Sequence, residues 1–167
     1  DATDLIRSMK VKKTKIFPKV DFIVFNFPHT GRGMKDMDRN IRDHQLLVLG
    51  YFKSSIELFE NLEKKNTKTS DLNVMGKEEK EPKIVLSVFE GEPYDSWNIK
   101  SLSKTLGLKV ERSGKFQWSA FEGYEHKRTN SEQNTTKVAS ERNAKIYVFE
   151  KFKKQQKKKA AEDSDEE

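Results

Sequence analysis

Asn26, Pro28 and His29 fall within four residues of one another, the first place in the chain where side chains able to do chemistry stand together. They belong to Asn26-Phe27-Pro28-His29-Thr30-Gly31, which directly follows the apolar run Phe22-Ile23-Val24-Phe25. Asn supplies an amide that both donates and accepts. Pro fixes the chain and removes a donor, so neighbouring carbonyls can face a ligand. His can stack, hydrogen-bond or take a proton near neutral pH. Ligands of open α/β sheets bind beyond the carboxyl ends of the strands, so this polar string is a candidate reaction site. The plainer alternative is a strand followed by a loop that happens to hold a histidine. The three histidines, His29, His44 and His126, show no metal-ligand spacing, and there is no cysteine. No metal site is expected.

The elements that must position this string are legible in outline. Residues 20–25 are almost wholly apolar, as a strand covered on both faces would be. Residues 31–40 form a polar loop, and residues 41–62 are the clearest helix, with Leu49, Phe52, Ile56 and Phe59 on one stripe. Residues 63–82 are rich in Lys, Glu, Thr and Ser and read as a mobile, disordered insertion. Residues 83–89 are a second strand. The loop Glu90-Gly91-Glu92-Pro93-Tyr94 follows, then a helix capped by Asp95 or Ser96 that carries Trp97, Leu102 and Leu106 and stops at Gly107. Residues 108–110 and 116–121 read as strand pieces separated by a Ser113-Gly114 turn, residues 124–137 as a polar loop, and residues 144–152 as the last strand. The order β, α, β, α, β, β suits an α/β layer fold, mostly parallel, with one antiparallel edge strand.

The length of 167 residues fits one domain. With 34% hydrophobic and 36% charged residues, the composition is lean for that size and implies solvated segments around a smaller core. The net charge of +6 understates the basic character, because residues 162–167 are nearly all acidic. Such an excess favours a polyanionic partner such as RNA. Residues 153–159 are basic and 160–167 acidic, and both are expected to be a disordered tail. No apolar run reaches the roughly 18 residues of a membrane helix, and no signal peptide is visible. The chain begins at Asp1 without a Met, which suggests a fragment.

Four segments together resemble the Rossmann-like uridine-N(3) methyltransferases of eukaryotic large-subunit ribosomal RNA. They are Asp21-Phe22-Ile23-Val24-Phe25-Asn26-Phe27-Pro28-His29-Thr30-Gly31, then Leu46-Leu47 leading to Tyr51-Phe52, Gly91-Glu92-Pro93-Tyr94 with Trp97, and Gly123-Tyr124-Glu125-His126-Lys127-Arg128-Thr129. The resemblance covers residues 1–152 apart from 63–82. It implies the C-terminal part of a class I, Rossmann-like methyltransferase fold that uses S-adenosylmethionine and acts on ribosomal RNA. Pre-ribosomal particles become candidate partners and the nucleolus or nucleus the expected location, with neither membrane nor metal involved. The resemblance places Asn26 and His29 in the catalytic site, and Asp1, Asn26, Phe27 and Pro28 against the cofactor. The glycine-rich turn and ribose-binding acid of such folds have no counterpart in the chain. Asn26 would hold an imide carbonyl. His29 either removes the N(3) proton or stacks and hydrogen-bonds. Tyr94 or Trp97 would stack a base, and His126, Lys127 and Arg128 would hold RNA. The alternative is a non-catalytic RNA-binding ribosome-assembly factor that keeps the same fold.

Overall fold

The computed structural model describes residues 1–11, 13, 19–31, 35–69, 80–124, 126 and 142–152. Its most apolar run becomes the central strand β2 (Lys83–Phe89), buried from Ile84 onward. Strand β1 (Phe22–Asn26) pairs parallel with it, Phe22 opposite Lys83 and Asn26 opposite Ser87. Parallel neighbours need a crossover of a dozen or more residues, and the helix α2 (Met37–Thr69) lies in that connection. On its other side β2 pairs antiparallel with β4 (Ala144–Lys151), which pairs antiparallel with β3 (Leu108–Lys115). The sheet order is β1-β2-β4-β3. A single turn, α1 (Leu5–Ser8), is capped by Asp4. The short helix α3 (Ile99–Thr105) leads into β3 after a 3-10 turn at Asp95–Trp97.

Several expectations are corrected. The antiparallel strand is interior, not at the edge. β3 is exposed along most of its length, which suits an edge, whereas β4 buries Ala144, Val148 and Phe149 and fills the slot between β2 and β3. Ser113-Gly114 is not a turn: β3 runs through it, Ser113 opposite Tyr147 and Gly114 opposite Ile146, with a register shift between Val110 and Arg112. The long partner strand overrides the local turn preference of Ser-Gly. Trp118–Ala120 is a 3-10 turn instead of strand. Asn98, left-handed at φ 54, separates the turn carrying Trp97 from α3, so the single helix expected there is two pieces.

The Asp36 carboxylate accepts from the Asp38 and Arg39 amides, which fixes where α2 begins. The helix then continues to Thr69, through seven residues expected to be disordered. Lys64 and Lys65 are good helix formers, and the Lys65 ammonium reaches back to the Val11 carbonyl. Residues 70–79 of the expected insertion, and the whole 153–167 tail, lie outside the described residues. The buried stripe of α2 runs through His44, Val48, Tyr51, Phe52, Ser55, Leu58, Phe59 and Leu62. Leu49 and Ile56, expected on it, flank it half-buried.

That stripe packs on Ile84, Leu86, Val88, Leu108 and Phe149. The Tyr51 hydroxyl lies 2.9 Å from the carbonyl oxygens of both Ile23 and Val85 and shares its proton between them. Burial pushes that phenol well above its ordinary range. The helix is thereby pinned to the β1–β2 pair in the middle, and its N-terminal turns rise beside the carboxyl end of β1. Coverage of β1 on both faces is not met. Ile23 and Phe25 are half-buried, while Phe22 and Val24 are each 55% exposed on the opposite face.

Candidate functional site

Asn26 ends β1 on the same face as Phe22 and Val24 and is exposed. The next residue leaves the strand abruptly. Phe27 adopts φ 53, a left-handed conformation uncommon for a residue with a side chain. Its amide still bonds the Ser87 carbonyl at 2.8 Å, extending the β1–β2 ladder by one. Its ring turns into a second core cluster with Phe89, Phe116 and Ala144. Pro28 is buried and His29 emerges exposed. The left-handed φ of 74° at Gly31 lets the loop turn back on itself, so that the Gly31 amide donates to His29 Nδ1 at 2.9 Å.

His44, at the front of α2, holds this loop from below. Its Nδ1 lies 2.8 Å from the Asn40 carbonyl, and its Nε2 accepts from the Thr30 amide at 3.3 Å. A carbonyl can only accept and an amide N–H can only donate, so these partners assign the neutral ring with its proton on Nδ1. The ring stacks on Trp97 at 4.6 Å and 11°. His29 meets its other side edge-on at 4.8 Å. Gln45 secures the far partner by donating to the Ser96 and Trp97 carbonyls. The same logic applied to His29 places the proton of its neutral ring on Nε2, because Nδ1 is the acceptor for Gly31.

Trp97 is only 1% exposed, packed between His44 and Tyr94. Its expected role as a base-stacking residue is therefore corrected: it is core, and its ring supports the histidine. Tyr94 is half-buried, and its hydroxyl accepts from the Arg142 guanidinium at 3.3 Å. That guanidinium lies 3.7 Å above the Phe89 ring. His126 sits edge-on to Phe27 and Phe89 at 5.0 and 5.3 Å. Burial first, and the Arg142 charge second, lower its pKa. A lowered pKa disfavours the charged form, which weakens the case for His126 as a cation for phosphate. Lys127 and Arg128 lie outside the described residues.

Asp1 is exposed, and one carboxylate oxygen accepts from both the Thr3 amide and the Thr3 hydroxyl, at 2.9 and 2.7 Å. The segment docks on the middle of α2, where the Leu5 amide donates to Ser54 Oγ at 2.7 Å. Asn26 and His29 thus share one loop. Tyr94 and His126 join it through the aromatic cluster, and Asp1 belongs to a separate turn. Sequence reasoning named His29 and passed over His44 and Arg142. The place of His44 on the α2 stripe, four residues before Val48, was the available signal for the first. Among the described residues no three His, Asp or Glu side chains gather as metal ligands, and no helix is long and apolar enough to cross a membrane.

Parallel strands joined by a helix, with an Asn-Phe-Pro-His loop at their carboxyl edge, make a mixed α/β domain with a candidate ligand site at one end of its sheet. The BMT5-like family, described as rRNA (uridine-N3-)-methyltransferase, matches residues 1–128, and the chain belongs to it. A 25S rRNA (uridine(2634)-N(3))-methyltransferase of Saccharomyces cerevisiae is 44% identical over 91% of this chain and 53% of its own length. A protein of Arabidopsis thaliana whose name records no activity is 29% identical over 74% of this chain and 51% of its own length. The chain therefore spans about half the length of these curated relatives. No solved structure matches it.

Proposed function

We propose that the whole protein methylates N(3) of a uridine in large-subunit ribosomal RNA, with S-adenosylmethionine as methyl donor. The observation that carries this reading is the 44% identity to the yeast uridine-N(3) methyltransferase over 91% of the chain. The parallel β1–β2 pair with its helical crossover supports reading the sheet as the C-terminal part of a Rossmann-like methyltransferase fold. Work on ribosomal RNA would place the protein in the nucleolus or nucleus, on pre-ribosomal particles.

S-adenosylmethionine fits the described residues only in part. Asn26 is exposed at the strand end, but Phe27 and Pro28 are buried, and the Asp1 carboxylate is engaged by Thr3. These residues do not make a cradle by themselves. What they can do is handle the uracil. The Asn26 amide donates to one imide carbonyl. His29, whose Nδ1 accepts from Gly31, would donate from Nε2 to the other carbonyl when the uracil is bound. Two donors on the imide oxygens favour its anion, so the N(3) proton becomes easier to lose to solvent water. His29 then acts as a donor, not as the base. Lys127 and Arg128 remain the proposed phosphate contacts.

Ribonucleoside analysis of RNA from cells carrying full-length variants tests the reading. Asn26→Ala and His29→Ala should each remove most of the N(3)-methyluridine. His29→Gln keeps an N–H donor and should retain activity within about tenfold. Loss of a true general base would cost roughly 10²–10⁴-fold, and that result for His29→Gln would restore the base role. Unchanged methyluridine in both alanine variants, at normal protein levels, would remove the two residues from the mechanism.

A further inference from the structure

Beside the Asn26–His29 loop, four aromatic rings form a cluster that runs from the core to solvent. Phe89 stacks on Phe27 at 4.6 Å, Phe27 on Trp118 at 5.2 Å and 4°, and Trp118 on Tyr124 at 6.4 Å and 11°. Burial falls along it: Phe89 and Phe27 are buried, Trp118 is half-buried, and Tyr124 is 47% exposed. Phe121, stacked on Phe116 at 4.9 Å and 6°, is 42% exposed. Phe121 and Tyr124, the outermost rings, thus both reach the surface within one short stretch.

We propose that Tyr124, backed by Trp118, forms a shelf on which an unstacked nucleobase of single-stranded RNA lies, with Phe121 offering a second face in a different plane, flanking the nucleotide held at Asn26 and His29. This rests on the reading of RNA as the substrate. The charges around the shelf suit that occupant. The Arg142 guanidinium lies over Phe89 and bonds the Tyr94 hydroxyl. The Arg142 carbonyl accepts from Trp118 Nε1 at 3.2 Å, so the cation and the shelf are held by the same turn. The shelf is continuous with the candidate site through Phe27, whose left-handed backbone brings its ring onto Phe89, on the sheet face that Ser87 and its partner Asn26 share. Aromatic stacking is the sequence-tolerant way in which proteins hold bases that have left a helix.

The test uses the full-length protein and a fluorescently labelled single-stranded oligouridylate, with an RNA duplex of equal length as the second probe. Tyr124→Ala and Phe121→Ala should each weaken oligouridylate binding roughly 5- to 100-fold. The slope of log affinity against log salt should not change, because stacking releases no counterions. Arg142→Ala should flatten that slope by about 0.7. Tyr124→Phe should bind like the parent, and Tyr124→Leu, which keeps apolar bulk without a π-face, should bind like the alanine variant. Duplex binding should be unaffected by any ring substitution. Parent-like oligouridylate binding by both alanine variants overturns the shelf, as does an equal loss for the duplex. Loss of a protein partner from purified particles without loss of oligouridylate binding would mark the rings as a protein contact and overturn it too. Binding is read without turnover, so failure of methylation leaves this outcome separately decided.

Discussion

At the scale of single residues, His44 braces the Asn26–Gly31 loop from a buried position. It is buried, stacked on Trp97, and accepts the Thr30 amide on the nitrogen that faces the loop. Removing it leaves a part-buried amide without this acceptor, which typically costs about 1–3 kcal/mol. His44→Phe keeps a ring against Trp97 but cannot accept the amide. We expect this variant to fold, to bind RNA within about twofold of the parent, and to lose methylation at least tenfold through kcat. If RNA affinity fell as far as kcat, the histidine would be supporting the fold at large and not the loop. His29 was readable in the sequence because its neighbours are polar and its strand is apolar. His44 was less so, because its partner Thr30 is 14 residues away and met only when α2 folds back over β1. Trp97 shows the converse. Its type suggested base stacking, and only packing against His44 shows that both faces of its surroundings are protein.

Elements are governed here by which strand finds which neighbour. β1, β2 and most of α2 follow from apolar runs and a period near 3.6 and were legible in the sequence. The slot of β4 between β2 and β3 was not, because strand pairing across a long connection leaves no local mark. Its consequence is an ion-pair cluster across three strands. Glu150 of β4 pairs with Lys83 of β2 and with Lys109 of β3, the latter at 2.9 Å, and Lys83 also faces Glu111 at 3.4 Å. Bonds from Lys83 and then Lys109 hold the Glu150 carboxyl below its ordinary range. The Glu150 bond holds the Lys83 ammonium above its own. A depressed carboxylate stabilises the fold above its unfolded pKa, and that contribution disappears as pH falls through the carboxylate range near 4. A raised ammonium contributes until pH rises through the lysine range. Glu150→Gln should therefore lower stability at neutral pH by about 1 kcal/mol, a shift of roughly 2–4 °C in Tm. The difference between the two proteins should close by about pH 3. Thermal scans from pH 3 to 8 check it, and a constant gap down to the acid end would mean that the shape of Glu150 matters and its charge does not.

At the scale of the whole molecule, the chain combines a well-buried centre with one uncovered side. Among the described residues β1 has β2 as its one strand neighbour, and it shows Phe22 and Val24 to solvent. Asn26, on that same face, is the one residue of the expected cofactor set whose side chain is open at the strand end. Asp1 is held in its own turn by two short bonds to Thr3, and the Phe27 ring is committed to the stack with Phe89 and Trp118. Ordering a cofactor costs about 4–15 kcal/mol in lost translation and rotation. One amide, worth about 1 kcal/mol net as a hydrogen bond, cannot offset that. The 167-residue chain by itself is thus expected to bind S-adenosylmethionine more weakly than millimolar, while the full-length protein binds it in the micromolar range. Calorimetry on both proteins under the same conditions decides the matter. Micromolar binding by the 167-residue chain would mean that the cofactor occupies a surface other than the carboxyl end of β1, and the assignment of Asn26 to that contact would have to be withdrawn.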